Sequence, residues 1–178
     1  DAASTAYVDT FAALNAQGVS VFVATGNDAQ IDEVSSPGCV TGAIAVGSVG
    51  DAVFPENFGA CPSLVNAAPD KVTCFSNATP VQGAGELVDL LAPGCSIVST
   101  GLNGSTNFEI CGTSMATPYA AGAAALVLEH AANSGLTLTP AALETLMEDT
   151  GVPITDYRIT ESPEFPRVSP AAAIDAID

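Results

Sequence analysis

At 178 residues the chain has the length of a single domain and can bury roughly two-thirds of its unfolded surface, so a sizeable core is expected. A composition of 48% hydrophobic residues with 16 Gly and 12 Pro is that of a loop-rich globular protein and excludes a disordered one. Twenty acids against three Lys plus Arg give a net charge of −17, which argues against nucleic acid as a partner.

In chain order, Ser4 is positioned to cap a helix in which Tyr7, Phe11 and Leu14 recur at helical spacing and Gly18 supplies the stop. Residues 19–24, apolar and rich in β-branched side chains, follow as a buried strand, and Thr25-Gly26-Asn27-Asp28 as the loop at its end. A helix, a strand and then a polar Gly-containing loop are the pattern of a parallel α/β sheet with functional loops at the strand ends. Ala43 to Val49 reads as a second strand, and 50–86 as a long irregular region of the kind that is functional or clamped. Residues 87–91 form a further strand, Pro93-Gly94 a turn, and 97–100 a short strand pairing with 107–111.

From Thr113 to about Ala132 the sequence is helical and apolar on nearly all sides, with a waist of small residues at 120–125, so this helix is expected inside the protein. Thr139-Pro140 supplies an N-cap and an N1 proline for a helix carrying Leu143, Leu146 and Met147 that Gly151 closes. Ser169-Pro170 repeats the start signal for a short last helix. The apolar stretch at 115–128 contains Thr117, Pro118 and Tyr119 and falls short of the roughly 20 residues that span a bilayer, so no membrane segment is expected.

Five cysteines without a Cys-x-x-Cys spacing favour disulfides and export over metal or redox chemistry. Cys61 and Cys74 bracket an irregular stretch, and Cys95 and Cys111 flank the hairpin centred near Asn103-Gly104, so the expected pairs are 61–74 and 95–111. Cys39 is then either a buried thiol or the partner of a cysteine outside the chain. Asp1-Ala2-Ala3-Ser4 does not open a signal peptide, and the chain reads as a mature or excised piece.

The run with most chemical content is Cys111-Gly112-Thr113-Ser114-Met115-Ala116-Thr117-Pro118, which sets a serine at the head of the apolar helix. Taken alone, Ser114 reads as a helix cap, and Pro118, near the helix start, costs little. The whole run with Ala121-Gly122, however, resembles the nucleophile signature of subtilisin-like serine peptidases. A second segment, Val21-Phe22-Val23-Ala24-Thr25-Gly26-Asn27, is similar to the strand and loop that carry that family's oxyanion asparagine, although an isolated Asn after Gly is ordinarily a turn residue. The likeness continues through 43–48, 90–94 and 168–173 and so covers nearly the whole chain.

This resemblance implies a doubly wound, mostly parallel α/β fold of which residues 1–178 are the C-terminal part, with the helix of the nucleophile at its centre. It implies Ser114 as the nucleophile, Asn27 as an oxyanion donor, and Ala24, Thr25 and Gly26 as one wall of the pocket for the side chain preceding the scissile bond. It further implies a secreted endopeptidase acting on polypeptides, in which a segment preceding this chain supplies the aspartate and histidine of a triad. Neither of those two family motifs is found here. The single histidine, His130, lies ~24 Å beyond Ser114 on a continuous helix and reads as a helix-end residue. Tyr119 stands where the family motif has a histidine that is not the general base.

No cofactor is required by this chemistry. Calcium, which such folds often bind, has candidate ligands in Asp28, Asp32 and Glu33, although their spacing completes no loop motif and a solvated acidic loop is the plainer reading. Asn77-Ala78-Thr79 and Asn103-Gly104-Ser105 are glycosylation sequons by pattern. The alternative function is a non-catalytic remnant of the same fold, kept for binding or structure, in which Ser114 is a cap and nothing more.

Overall fold

The computed structural model describes residues 2–56, 61, 65–80, 87–105 and 108–178. Helix α1 (Ala2–Asn15) leads through a turn at Gly18 into strand β1 (Phe22–Ala24). The next elements are β2 (Ile44–Gly50), the short antiparallel pair β3 (Phe54–Glu56) and β4 (Val65–Ala67), and β5 (Leu90–Cys95). A second antiparallel pair, β6 (Ile97–Ser99) and β7 (Phe108–Ile110), precedes the long helix α2 (Thr113–Asn133). Helix α3 (Pro140–Asp149), strands β8 (Val152–Thr155) and β9 (Glu164–Arg167), and helix α4 (Pro170–Asp175) complete the order.

Five strands form one sheet in the order β1-β2-β5-β9-β8. All neighbours are parallel except β9 and β8, which are a hairpin. Every residue of β2 and β5 is buried, as expected of parallel strands covered on both faces. Because side chains alternate, Ile44, Val46, Leu90 and Ala92 point to α2 and meet Ala116, Ala120, Ala123, Ala124 and Val127. Leu143, Met147, Val168 and Ala173 extend this layer, so α2, α3 and α4 share one face. The opposite face carries Val49 and Leu91, packed with Val34, Val72, Val88, Ile154 and Phe165. The expected mostly parallel α/β fold is the one observed.

Several local expectations need correction. Helix α1 already runs through Ser4, which therefore does not cap it. The strand expected at 19–24 is regular only from Phe22 and is half-buried, because β1 is the edge of the sheet. Pro93-Gly94 is not a turn: Pro93 pairs with Val49, and the pairing of β2 with β5 resumes at Gly50 and Cys95 after a register shift that leaves Gly94 as the extra residue. The region 50–86 contains β3 and β4, and its residues 57–60, 62–64 and 81–86 lie outside the described ones, as does Asn107 of the expected hairpin.

Helix α2 is not enclosed on all sides. Pro118, Tyr119, Gly122, Ala125 and Leu126 are exposed in this chain, a stripe of mostly small and apolar groups along the face turned away from the sheet that ends at the exposed Glu129. Pro118 is the sixth residue of the helix, beyond the orphan N–H groups, so its missing N–H leaves the Ser114 carbonyl without an i+4 donor. The cap of α3 is as expected: Thr139 Oγ1 accepts from the Ala142 N–H at 3.2 Å, and Pro140 opens the helix.

Both expected disulfides are present, Cys61–Cys74 and Cys95–Cys111. Cys39 is a free thiol and exposed, which removes the buried reading. Among the described residues no helix is long and apolar enough to cross a membrane.

Candidate active site

Three segments meet at the N-terminus of α2. The first is the loop after β1, the second the C-terminal end of β5, and the third the tight entry of the chain through Gly112. The entry is held to the sheet by the Gly112 N–H, which donates to the Gly94 carbonyl at 2.7 Å. That approach requires glycine at 94, since a Cβ there would come within 2.8 Å of the Gly112 carbonyl oxygen and 2.9 Å of the Ala116 methyl carbon. Gly94→Ala is therefore expected to destabilise the fold by about 1–3 kcal/mol, the usual cost of overpacking. A denaturant midpoint equal to that of the parent protein would contradict this.

Ser114 is not a cap. The residue at the N-cap is Gly112, with no side-chain cap, and the helix begins at Thr113. Ser114 occupies the second helical position and is exposed. The function of a cap is carried from outside the helix by Asn27, whose Oδ1 accepts from the Thr113 N–H at 2.9 Å and from the Thr113 hydroxyl at 3.0 Å. With Oδ1 engaged by two donors, the Nδ2 amide group of Asn27 is the part left for another partner. The Met115 N–H closes on the Gly112 carbonyl at 3.0 Å. The Ser114 N–H has no helical acceptor at its position, so it and the positive end of α2 are available to a developing negative charge.

The strand before this loop is short but well anchored. Ala24 pairs with Val46, the Thr25 N–H donates to the Val46 carbonyl at 3.1 Å, and the Thr25 carbonyl accepts from Ser35 at 2.9 Å. Thr25 is entirely buried, whereas Ala24 and Gly26 are half-buried. Gly26 adopts φ +108°, a backbone that side-chain-bearing residues disfavour, and this turns the chain so that Asn27 faces α2.

His130 lies at the far end of α2, where its Nε2 is 2.8 Å from Asp178 Oδ1, tying the helix end to the chain end. Its role there is structural, as its spacing from Ser114 indicates. Tyr119 is exposed on the uncovered face of α2.

Asp28, Asp32 and Glu33 do not converge as a three-carboxylate cluster. The carboxylates that gather are Asp89, Glu144 and Glu148, whose oxygens lie within 4.8 Å of one another. Burial, followed by the charge of Asp89, pushes the Glu144 carboxyl up to about 7 from an ordinary value of 4.5. A carboxyl raised in the folded state holds its proton more tightly there, so this contribution to stability is complete below about pH 4.5 and is lost as pH rises through about 7. Glu144→Gln, which mimics the protonated form, is expected to melt with the parent protein near pH 4.5 and above it at pH 8. A difference in melting temperature that is the same at both pH values would sink this account.

Two groups of residues at or behind the site escaped the sequence reading. Asn77, read only as a sequon, is buried at 1% exposure. The buried Asp156 and the half-buried Arg158 form an ion pair behind the same region. Arg158 is one of only three Lys plus Arg in the sequence, and that scarcity was the available signal for it. The second sequon is placed differently, with Asn103 exposed on a 3-10 turn at φ 57°.

Comparison with known proteins gives the family of the chain. Residues 2–166 match the Subtilase family. The chain is 38% identical over 139 residues to a cuticle-degrading protease of Metarhizium anisopliae, covering 78% of this chain and 29% of that protein. It is 42% identical over 118 residues to an extracellular serine proteinase of Thermus sp. strain Rt41A, covering 66% of this chain and 23% of the relative. Among solved structures, the prenylagaramide maturation protease PagA superposes with a TM-score of 0.73 at 23% identity, over 96% of this chain and 54% of that one. The chain thus spans under a third of these curated relatives and about half of the solved domain. With the family match running through nearly all of its length, the chain belongs to the subtilase family.

Proposed function

We propose that the complete protein is a secreted serine endopeptidase and that this chain, as the C-terminal part of its catalytic domain, supplies the nucleophile Ser114 and the oxyanion donor Asn27. The observation that carries this reading is the pair of hydrogen bonds from Thr113 to Asn27 Oδ1, which set the Asn27 amide beside the residue preceding Ser114 at the head of α2. The Ser114 hydroxyl oxygen attacks the peptide carbonyl carbon and its proton passes to a histidine. The carbonyl oxygen becomes negative and is met by the Asn27 amide and the Ser114 N–H. Collapse of this intermediate breaks the C–N bond, the histidine returns the proton to the departing amine, and water hydrolyses the acyl-enzyme.

The histidine, with an aspartate that orients it, comes from a segment outside these 178 residues. Supporting this are the distant position of His130, the greater length of the relatives, and the apolar stripe on α2 that a further segment of the domain would cover. Ala24 and Gly26 form the accessible part of the wall beside the substrate, and the buried Thr25 supports it from beneath. The substrate is a polypeptide, and each step is accounted for by side chains and backbone. Asp28, Asp32 and Glu33, the candidate calcium ligands, do not gather as a three-carboxylate group. Export is supported by the two disulfides and by the extracellular relative.

The alternative, a remnant retained for binding, would need Ser114 as a cap, and Ser114 caps nothing here. Treatment of the native, unfractionated preparation with a fluorophosphonate, followed by peptide mass spectrometry, is expected to find the adduct on Ser114. A preparation that leaves Ser114 unlabelled beside a reacting control peptidase would favour the remnant.

A further inference from the structure

Asn27 is exposed, so packing of its own side chain does not hold it in place. Its loop is held from below by Asn77. The Asn77 Oδ1 accepts from the Asp28 N–H at 2.9 Å and from the Gln30 N–H at 3.1 Å. The Asn77 Nδ2 donates to Ser35 Oγ at 3.0 Å, and its backbone N–H donates to the Gly26 carbonyl at 3.1 Å. Gly26 and Asp28 are the two chain neighbours of Asn27, so one buried residue grips the backbone on both sides of it. The loop needs such a grip, because both Gly26 and Ala29 have left-handed backbone, at φ 108° and 57°. The Ala29 N–H donates to the Phe75 carbonyl and the Ala78 N–H to the Gln30 carbonyl, each at 2.9 Å, so the segment 75–78 runs as a rail beneath the loop. That rail is itself fixed by Arg158, whose Nη1 donates to the carbonyls of Thr73 and Ser76 at 2.8 and 2.7 Å.

We propose that Asn77 is a positioning residue for the reaction, fixing the backbone of the 26–30 loop so that the Asn27 amide stands in place before the carbonyl oxygen turns negative. This rests on the reading of Asn27 as the oxyanion donor. A donor of this kind is effective because it is oriented in advance, and a misplacement of about 1 Å costs on the order of a hundredfold in rate. What the loop requires at position 77 is an acceptor for two N–H groups, which aspartate also offers; the Ser35 hydroxyl can rotate to donate to the second oxygen.

The test is a double-mutant cycle in the complete protein, with kcat and KM measured separately on a chromogenic peptide. Asn27→Ala is expected to lower kcat by about a hundred- to a thousandfold, the loss a subtilisin shows on removal of this donor. Asn77→Ala is expected to lower kcat by roughly ten- to a hundredfold with KM little changed. The double variant should fall within about twofold of Asn27→Ala alone, since a mispositioned donor that is absent can cost nothing more. Asn77→Asp should recover most of the rate, and it serves as the second variant where Asn77→Ala does not fold. Losses that multiply in the double variant, or an Asn77→Asp as slow as Asn77→Ala, would overturn the positioning role while leaving Asn27 as the donor. An Asn27→Ala variant with full kcat would instead overturn the oxyanion assignment on which the proposal stands.

Discussion

Ser114→Ala in the complete protein is expected to abolish the proposed peptide hydrolysis, with kcat falling on the order of 10⁶-fold as it does when a subtilisin loses its nucleophile, while the melting temperature stays where it was. The two halves of this result separate chemistry from fold. Removing the hydroxyl removes the atom that forms the acyl bond, and water held by the remaining donors is a poor replacement for it. Stability, by contrast, has little to lose: Ser114 is exposed, sits at the second position of α2 and makes no cap. Surface changes of this kind stay within about 0.5 kcal/mol, whereas loss of a serine cap costs about 1 kcal/mol. Parallel measurement of hydrolysis and thermal unfolding decides the matter. A variant that lost stability yet kept its activity would identify Ser114 as a structural residue.

Arg158→Met is expected to lower stability by about 3 kcal/mol, the lower end of the scale for removing one partner of a buried ion pair, because Asp156 is buried and Arg158 only half-buried. Its partner Asp156 is 1% exposed and accepts from Arg158 Nε at 2.8 Å and Nη2 at 2.6 Å, so truncation strands a carboxylate where water cannot reach it. The same side chain also donates to the carbonyls of Thr73, Cys74 and Ser76, and truncation removes all three of these hydrogen bonds together. Because much of the cost is the stranded charge, adding Asp156→Asn to Arg158→Met should recover part of it. Urea unfolding of the two variants checks both statements. A double variant less stable than Arg158→Met would show that the pair is not what couples the 156–162 turn to the segment at 73–76.

Much of the fold was legible along the chain because its signals are local. The Thr139-Pro140 helix start and the bracketing of the hairpin by Cys95 and Cys111 depend on residues close in sequence, and both are found as expected. The fold class followed from apolar runs whose length and β-branched content suit strands buried on both faces, as β2 and β5 are. Local rules also misled where tertiary contacts outweighed them. Pro93-Gly94 has the composition of a turn, but the pairing of β2 with β5 and the need for close approach at Gly94 keep it inside a strand. A serine ahead of an apolar helix has the pattern of a cap, but Asn27, 86 residues away from Thr113, takes that place.

By itself, then, the sequence determined the α/β class, the two disulfides and the identities of Ser114 and Asn27 as the residues to watch. What only the tertiary structure decided is which atoms hold them. Asn77 looks ordinary in sequence, because it lies far along the chain from the loop it supports; the groups its Oδ1 holds are backbone N–H groups, which every residue carries and no side-chain pattern reveals. Such partners become identifiable only when folding buries them and each must find a hydrogen bond, and it is this requirement that places Asn77 beneath Asn27.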